Sequence, residues 1–268
     1  MLPNIDDLSG LVKSVAREEI LPRYTHAEAR RKADGSIVTE VDFAMQNRLA
    51  EALGARYPEF ELLGEEMDEA RQLELLDQGD GGVWCLDPLD GTGNFASGLP
   101  LFCVSLALLM EGQPVLGLIY DPVRDECFTA ERGRGAHLNG IRLECRDSAP
   151  PLRRCLAMVD FKRLDHAMAA KLATHPPYRS HRYLGSGALE WCWLAAGRFH
   201  VYLHGGQMLW DYAAGALILA EAGGRSLSLR GTPMFSSGLR PTSVVAAANA
   251  RLFEEWWVAL EPEGFATV

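Results

Sequence analysis

Apolar positions recur at helical spacing over residues 5–23, at Ile5, Leu8, Val12, Val15 and Ile20, and the run stops at Pro22. This spacing predicts an amphipathic helix closed by the proline. The period then changes. Residues 37–42 alternate briefly like a strand, with Asp42 closing the run, and a helix is predicted over about 43–56. Phe60-Glu61-Leu62-Leu63 reads as a short strand running into Gly64-Glu65-Glu66. A Glu-rich stretch over 65–74 predicts a loop and a helix. The continuous apolar run from Val83 to Leu86 has the length and flanks of a buried strand. Beyond it, 102–109 and 114–120 read as strands paired across Glu111-Gly112-Gln113. Residues 126–130 and 136–143 continue the hairpins around Gly133-Arg134-Gly135.

After Ser148-Ala149-Pro150-Pro151 the pattern turns to strand and helix in alternation. Strands are predicted over 155–159, 181–184, 199–203, 225–229 and 244–248, and helices over 163–173, 186–197, 211–222 and 251–260. Such alternation implies an α/β layered fold. The proline pair predicts a boundary between an N-terminal subdomain, residues 1–148, and a C-terminal α/β subdomain, residues 152–268.

Composition narrows the function classes. The chain has 268 residues, 48% of them apolar, which is ample for a real core, and its formal net charge is -10. No basic stripe is visible, so nucleic acid is not an expected partner. Apolar runs such as 101–110 are too short to span a bilayer, and the N-terminus lacks the basic-then-apolar layout of a signal peptide. No membrane association and a cytoplasmic location are the expectations. The six cysteines are scattered with no C-x-x-C pair and read as buried, reduced thiols.

The candidate chemistry lies in Asp87-Pro88-Leu89-Asp90-Gly91-Thr92. Proline holds the preceding residue extended, which places Asp87 at a strand's end. Asp90-Gly91-Thr92 suits a helix start, where free N–H groups can hold a phosphate. The two carboxylates, with the Leu89 carbonyl between them, form a hard oxygen nest suited to Mg²⁺. Glu65 follows another strand and a glycine, Asp211 stands at or near the N-cap of an apolar helix, and Gly185-Ser186-Gly187 opens the helix before it. Glu65, Asp87, Asp90 and Asp211 would repel one another unless cations held them. Paired metals could clamp both oxygens of an in-line displacement. No dinucleotide, P-loop or nucleophile-elbow motif is present, and the spacing of Asp87 and Asp90 is not D-x-D.

Gly64-Glu65-Glu66, Asp87-Pro88-Leu89-Asp90-Gly91-Thr92 and Trp210-Asp211-Tyr212-Ala213-Ala214-Gly215 resemble, in order and separation, the three signatures of the inositol monophosphatase family. The resemblance runs from about residue 5 to 260. It implies an α-β-α-β-α sandwich, Mg²⁺ dependence, sensitivity to Li⁺ and a homodimer. It assigns Glu65, Asp87 and the Leu89 carbonyl to one Mg²⁺ and Asp87, Asp90 and Asp211 to a second, with a third, weaker ion resting on Glu65 through waters. The N–H groups of Gly91 and Thr92 would grip the phosphate, and Thr92 backed by Asp42 would orient or deprotonate the attacking water. Gly185, Ser186 and Gly187 would line the leaving-group pocket, and Lys32 would lie near the phosphate entrance.

The implied activity is a phosphomonoesterase acting on a small polyol or sugar phosphate, with inositol 1-phosphate as the leading candidate. Fructose 1,6-bisphosphate, 3'-phosphoadenosine 5'-phosphate and histidinol phosphate are alternatives within the same fold. A regulatory binding protein that has lost turnover is the alternative from another class. One departure bears on the substrate: His204 stands where family members acting on inositol phosphates carry a Glu, seven residues before Asp211. An imidazole there, facing the leaving group, would discriminate among substrates without touching the metal site.

Overall fold

The computed structural model describes residues 2–26, 28–32, 35–77, 81–145, 149–236 and 238–261. Of the Ser148-Ala149-Pro150-Pro151 punctuation, Ser148 lies outside these residues. The elements run α1 (Ile5–Glu19), β1 (Ala29–Arg31), β2 (Ile37–Thr39), α2 (Glu40–Arg56), β3 (Glu61–Gly64), α3 (Glu69–Asp77), β4 (Val83–Asp90), α4 (Thr92–Ala96), β5 (Cys103–Met110), β6 (Gln113–Asp121), β7 (Glu126–Glu131), β8 (Gly135–Leu138) and β9 (Ile141–Leu143). They continue with β10 (Leu156–Asp160), α5 (His166–Thr174), β11 (Ser180–Arg182), α6 (Gly187–Ala195), β12 (Val201–Gln207), α7 (Leu209–Glu221), β13 (Arg225–Leu227), β14 (Thr242–Ala247) and α8 (Ala250–Leu260).

A seven-stranded sheet in the order β3-β4-β5-β6-β7-β8-β9 and a five-stranded sheet in the order β11-β10-β12-β14-β13 form the two β layers. β3 and β4 are parallel and the rest of the larger sheet is antiparallel. Side chains alternate faces along β4: Trp84 and Leu86 pack under α1 and α2, whereas Val83 and Cys85 face α6 and α7. Both faces of the sheet are therefore covered, which is why β4 reads as an unbroken apolar run.

The cluster around α6 and α7 also takes in Met158, Tyr202, Val244 and Ala246 from the five-stranded sheet. On that sheet's far face, Ala157, Val159, Val201 and Leu203 pack with Leu172 of α5 and with Leu252, Phe253 and Trp256 of α8. The result is the expected α-β-α-β-α sandwich, in which helices from the second half of the chain fill the middle layer. All six cysteines are free, and five of them are buried.

Several boundaries differ from the sequence expectation, and two of the differences matter for chemistry. Asp42 does not close a strand: it sits in the first turn of α2, where its carboxylate accepts from the Thr39 N–H at 2.8 Å and the Thr39 hydroxyl at 2.7 Å. This is the reciprocal capping arrangement of a helix start. β4 does not stop at Asp87 but continues through Pro88 to Asp90. The stretch 136–143 is two strands, β8 and β9, turned back at Asn139-Gly140.

Candidate active site

β4 pairs with β5 through Asp87 opposite Ser105 and Asp90 opposite Cys103, so three steps on β4 span two on β5. Residues three apart in a regular strand face opposite sides, and one bulged residue restores them to the same side. The bulge at Pro88-Leu89 therefore lets both carboxylates reach one cleft. Glu65 joins them because its N–H donates to the Leu86 carbonyl at 3.1 Å, extending the β3–β4 pairing one step to the neighbourhood of Asp87. Asp211 arrives from α7, whose start is tied to β5 by the Ser105 hydroxyl donating to the Trp210 carbonyl at 3.0 Å. Asp211 is the third residue of that helix, and its carboxylate accepts from the Met208 N–H at 2.9 Å.

These elements meet in a cleft of about 810 Å³ lined by Glu65, Asp87, Leu89, Asp90, Gly91, Thr92, Gly185 and Asp211, with Arg31, Lys32, Lys162 and Arg163 on its walls. Burial lifts the Asp87 carboxyl well above the usual range, and Glu65, Asp90 and Asp211 add to the lift. Asp211 is raised in the same way, first by burial and then by Asp90 and Glu65. Burial also raises Asp90, opposed by hydrogen bonds from the Ser186 hydroxyl at 2.6 Å and the Ala188 N–H at 2.7 Å. Glu65 is lifted to about 7, chiefly by burial, with Lys32 opposing and Glu66 reinforcing. Four acids whose ionised forms are each disfavoured in this way call for a positive counter-charge.

Lys32 supplies part of it, with its ammonium 3.2 Å from Glu65 Oε1 and 2.6 Å from Glu66 Oε1. Among the described residues, no three His, Cys, Asp or Glu side chains stand close enough to hold a metal ion as placed. As placed, Glu65 accepts from Lys32, Asp90 from Ser186 and Ala188, and Asp211 from Met208. The donor chemistry itself, all carboxylate and carbonyl oxygen in one cleft, fits a hard divalent cation.

Thr92 opens the short helix α4 behind Gly91, whose φ of +89° belongs to the left-handed region. A Cβ at Gly91 would lie 2.7 Å from the Leu101 carbonyl, so the backbone here has no room for a side chain. The Thr92 hydroxyl lies 3.0 Å from Asp42 Oδ1 and 2.9 Å from the Leu89 carbonyl. Asp42 is buried behind it, its carboxyl raised by that burial against the hydrogen bonds from Thr39 and Thr92.

Not every predicted residue lines the cleft. Ser186 and Gly187 lie behind Asp90. His204 is buried on β12, its Nδ1 accepting from the Gly206 N–H at 3.1 Å and its Nε2 3.1 Å from Asp160 Oδ2. An Nδ1 that accepts leaves the proton of a neutral ring on Nε2. The sequence reading passed over Thr39, which holds Asp42, and Asn94, whose amide donates to the Leu101 and Leu184 carbonyls at 2.7 Å each. Thr39-Glu40-Val41-Asp42 has the spacing of a capping box, so that signal was available. Asn94 carries no comparable sequence signal.

The Inositol monophosphatase family profile matches residues 6–261. Inositol monophosphatase 2 of Solanum lycopersicum is 36% identical over 247 residues, covering 88% of this chain and 90% of that protein. Nus factor SuhB of Pasteurella multocida is 35% identical over 238 residues, covering 86% and 85%. Among solved structures, staphylococcal IMPase-II bound to inositol monophosphate is 28% identical with a TM-score of 0.78, covering 96% of this chain and 93% of the other. The same protein bound to 2'AMP gives a TM-score of 0.80 at the same identity, covering 96% and 94%. With a family profile that spans nearly the whole chain and relatives above 30% identity over most of its length, this protein belongs to the inositol monophosphatase family.

Proposed function

We propose that the protein is a Mg²⁺-dependent phosphomonoesterase that hydrolyses a small polyol or sugar phosphate, inositol 1-phosphate being the leading candidate. The observation that carries this reading is the β4 bulge, which lets Asp87 and Asp90 reach the cleft that Glu65 and Asp211 enter from two other elements. Glu65, Asp87 and the Leu89 carbonyl would hold one Mg²⁺, Asp87, Asp90 and Asp211 a second, and Glu65 a third more weakly through waters. Bound there, Mg²⁺ offsets the carboxylate charge and supplies Lewis acidity to the phosphate ester and its attacking water.

The chain's own groups do the positioning. The Gly91 and Thr92 N–H groups hold the phosphate. The Thr92 hydroxyl orients the attacking water, and Asp42 Oδ1, 3.0 Å behind it, takes up the proton through that hydroxyl. Gly185 lines the leaving-group side, with Ser186 and Gly187 fixing it against Asp90. His204, buried beside Asp160 and not lining the cleft, has no part in binding the leaving group in this reading. No helix among the described residues is long and apolar enough to cross a membrane. A cytoplasmic homodimer is the form this reading assigns to the enzyme.

The SuhB relatives bear the name Nus factor, which favours a second reading as a regulatory binding protein. A protein that only binds a partner has no need of four mutually repelling carboxylates, which supports turnover. A colorimetric phosphate-release screen over inositol 1-phosphate, fructose 1,6-bisphosphate, 3'-phosphoadenosine 5'-phosphate and histidinol phosphate separates the two. Release from at least one with Mg²⁺ present, and from none in excess EDTA, is expected. No release from any of the four would favour the binding protein.

A further inference from the structure

Leu184 stands between β11 and α6, next to Gly185, which lines the catalytic cleft. Both of its backbone polar groups are taken by side chains from two different helices. Its N–H donates to Glu190 Oε1 at 2.8 Å, and its carbonyl accepts from Asn94 Nδ2 at 2.7 Å. Glu190 is the fourth residue of α6 and reaches back past the start of its own helix. Asn94 is the third residue of α4, the short helix behind Gly91.

A carboxamide nitrogen carries two hydrogens, and Asn94 gives the other to the Leu101 carbonyl, also at 2.7 Å. That carbonyl is the atom a Cβ at Gly91 would approach to 2.7 Å. On the other side, a Cβ at Gly185, where φ is +74°, would lie 3.2 Å from both Nδ2 and Oδ1 of Asn94. One carboxamide thus bridges the floor under Gly91 and the cleft wall at Gly185. An apolar side chain in its place would tie neither carbonyl.

Stability alone does not explain Glu190. It is buried, burial lifts its carboxyl to about 8, and only one of its oxygens has a well-aligned donor among the described residues. A leucine would fill much the same space without desolvating a carboxyl. Leu184 is half-buried, so its N–H would have water to turn to if the acid were absent. What the acid adds is a fixed place for the Leu184 peptide on the α6 side, as Asn94 fixes it on the α4 side. Just beyond, the Ser186 hydroxyl and the Ala188 N–H hold Asp90, which ties the same segment to β4.

We propose that Asn94 and Glu190 are positioning residues: gripping one peptide from two helices, they set the Gly185 wall at the distance from Gly91 and Thr92 that seats the alcohol half of the substrate. The proposal rests on the phosphatase reading and names the residues that shape its leaving-group side. Neither side chain takes part in the attack at phosphorus.

The test is steady-state kinetics on the full chain at saturating Mg²⁺, with the best substrate of the screen and with inorganic phosphate as a competitive inhibitor. Phosphate has no alcohol half, so its inhibition constant reads the phosphate grip alone. Glu190→Leu, Asn94→Ala and Asn94→Asp are each expected to raise KM about tenfold, on the order of one hydrogen bond. Both kcat and the phosphate constant are expected to change less than about threefold. Glu190→Gln keeps an acceptor for the Leu184 N–H and is expected to stay within about twofold of the wild-type KM. Because both side chains hold the same peptide, combining Glu190→Leu with Asn94→Ala is expected to raise KM much less than the product of the single effects. Unchanged KM in the single variants, a phosphate constant that weakens as much as KM, or Glu190→Gln as impaired as Glu190→Leu would overturn the positioning role. If Glu190→Leu does not fold, Asn94→Asp, which keeps the shape of its side chain, carries the same comparison. Failure of the wild type to release phosphate from any substrate sinks the phosphatase reading instead. Titration calorimetry with inositol 1-phosphate and with inorganic phosphate then decides: Asn94→Asp is expected to weaken the first alone, and equal changes in both, or none, would overturn the proposal.

Discussion

Thr92 has one hydroxyl proton and two acceptors within reach, Asp42 Oδ1 at 3.0 Å and the Leu89 carbonyl at 2.9 Å. In the proposed reaction this hydroxyl orients the attacking water and contributes little to ground-state binding. Thr92→Ala is therefore expected to lower kcat at least tenfold with KM nearly unchanged, because the lost interaction belongs to the transition state. Steady-state kinetics at saturating Mg²⁺ checks this, and a loss confined to KM would contradict the role. Glu190 is a second residue with a definite consequence. Its Oε1 accepts from the Leu184 N–H at 2.8 Å, while its buried Oε2 finds no well-aligned donor among the described residues, the Tyr202 hydroxyl being close by. Burial chiefly raises its carboxyl from 4.5 to about 8. Between those values the unfolded chain ionises and the folded chain does not, so this residue's contribution to stability falls as pH rises through the window. Glu190→Gln, which keeps an acceptor for Leu184, removes that fall. Urea unfolding is expected to show the variant gaining on the wild type by about 1 kcal/mol or more between pH 5 and pH 8. A difference independent of pH would show that Glu190 ionises normally in the fold.

At the scale of elements, the site depends on departures from regular structure, and these were the least legible parts of the sequence. The acids Glu65, Asp87, Asp90 and Asp211 could be picked out from their places beside strand ends and helix starts. The bulge that turns Asp87 and Asp90 to one side could not, because a local pattern carries no record of the partner strand's register. Proline at position 88 hinted at an end to the strand, yet the pairing resumes at Asp90 opposite Cys103. Asp42 was misplaced for a related reason: a three-residue strand and a helix start share the alternating run Ile37-Val38-Thr39-Glu40-Val41-Asp42. His204 was legible as a departure but not as a direction, since its face of β12 follows from the register with β10, which sets it opposite Asp160. The turn at Gly91 gives an element-scale test. Gly91→Ala places a Cβ in a left-handed conformation 2.7 Å from the Leu101 carbonyl, so α4 must shift relative to β4. The variant is expected to fold with a loss of about 1–3 kcal/mol and to lose at least tenfold in kcat/KM. Wild-type kinetics in this variant would remove the Gly91-Thr92 backbone from the phosphate site.

At the scale of the molecule, the strand-and-helix alternation of the second half was enough to anticipate the layering. It did not show that α6 and α7 from that half would lie against the seven-stranded sheet built from the first. Contacts between distant segments decide this, and no window of sequence contains them. The interleaving has a functional consequence, because Asp211 enters the cleft only when α7 docks on β5 beside Asp87. There burial and mutual repulsion drive Asp87 and Asp211 toward protonation. In the proposed reaction these carboxylates are the metal site for phosphate ester hydrolysis, with Asp87, raised by all three of its acidic neighbours, as its pivot. The direct measurement is phosphate release from the best substrate of the screen, with and without Mg²⁺, for the wild type and Asp87→Asn. Release is expected only with Mg²⁺ and only from the wild type, while the metal-free variant is at least as stable as the metal-free wild type because one repelling charge is gone. If Asp87→Asn keeps more than about a tenth of the wild-type kcat, a loss of under about 1.4 kcal/mol in transition-state stabilisation, the account is contradicted.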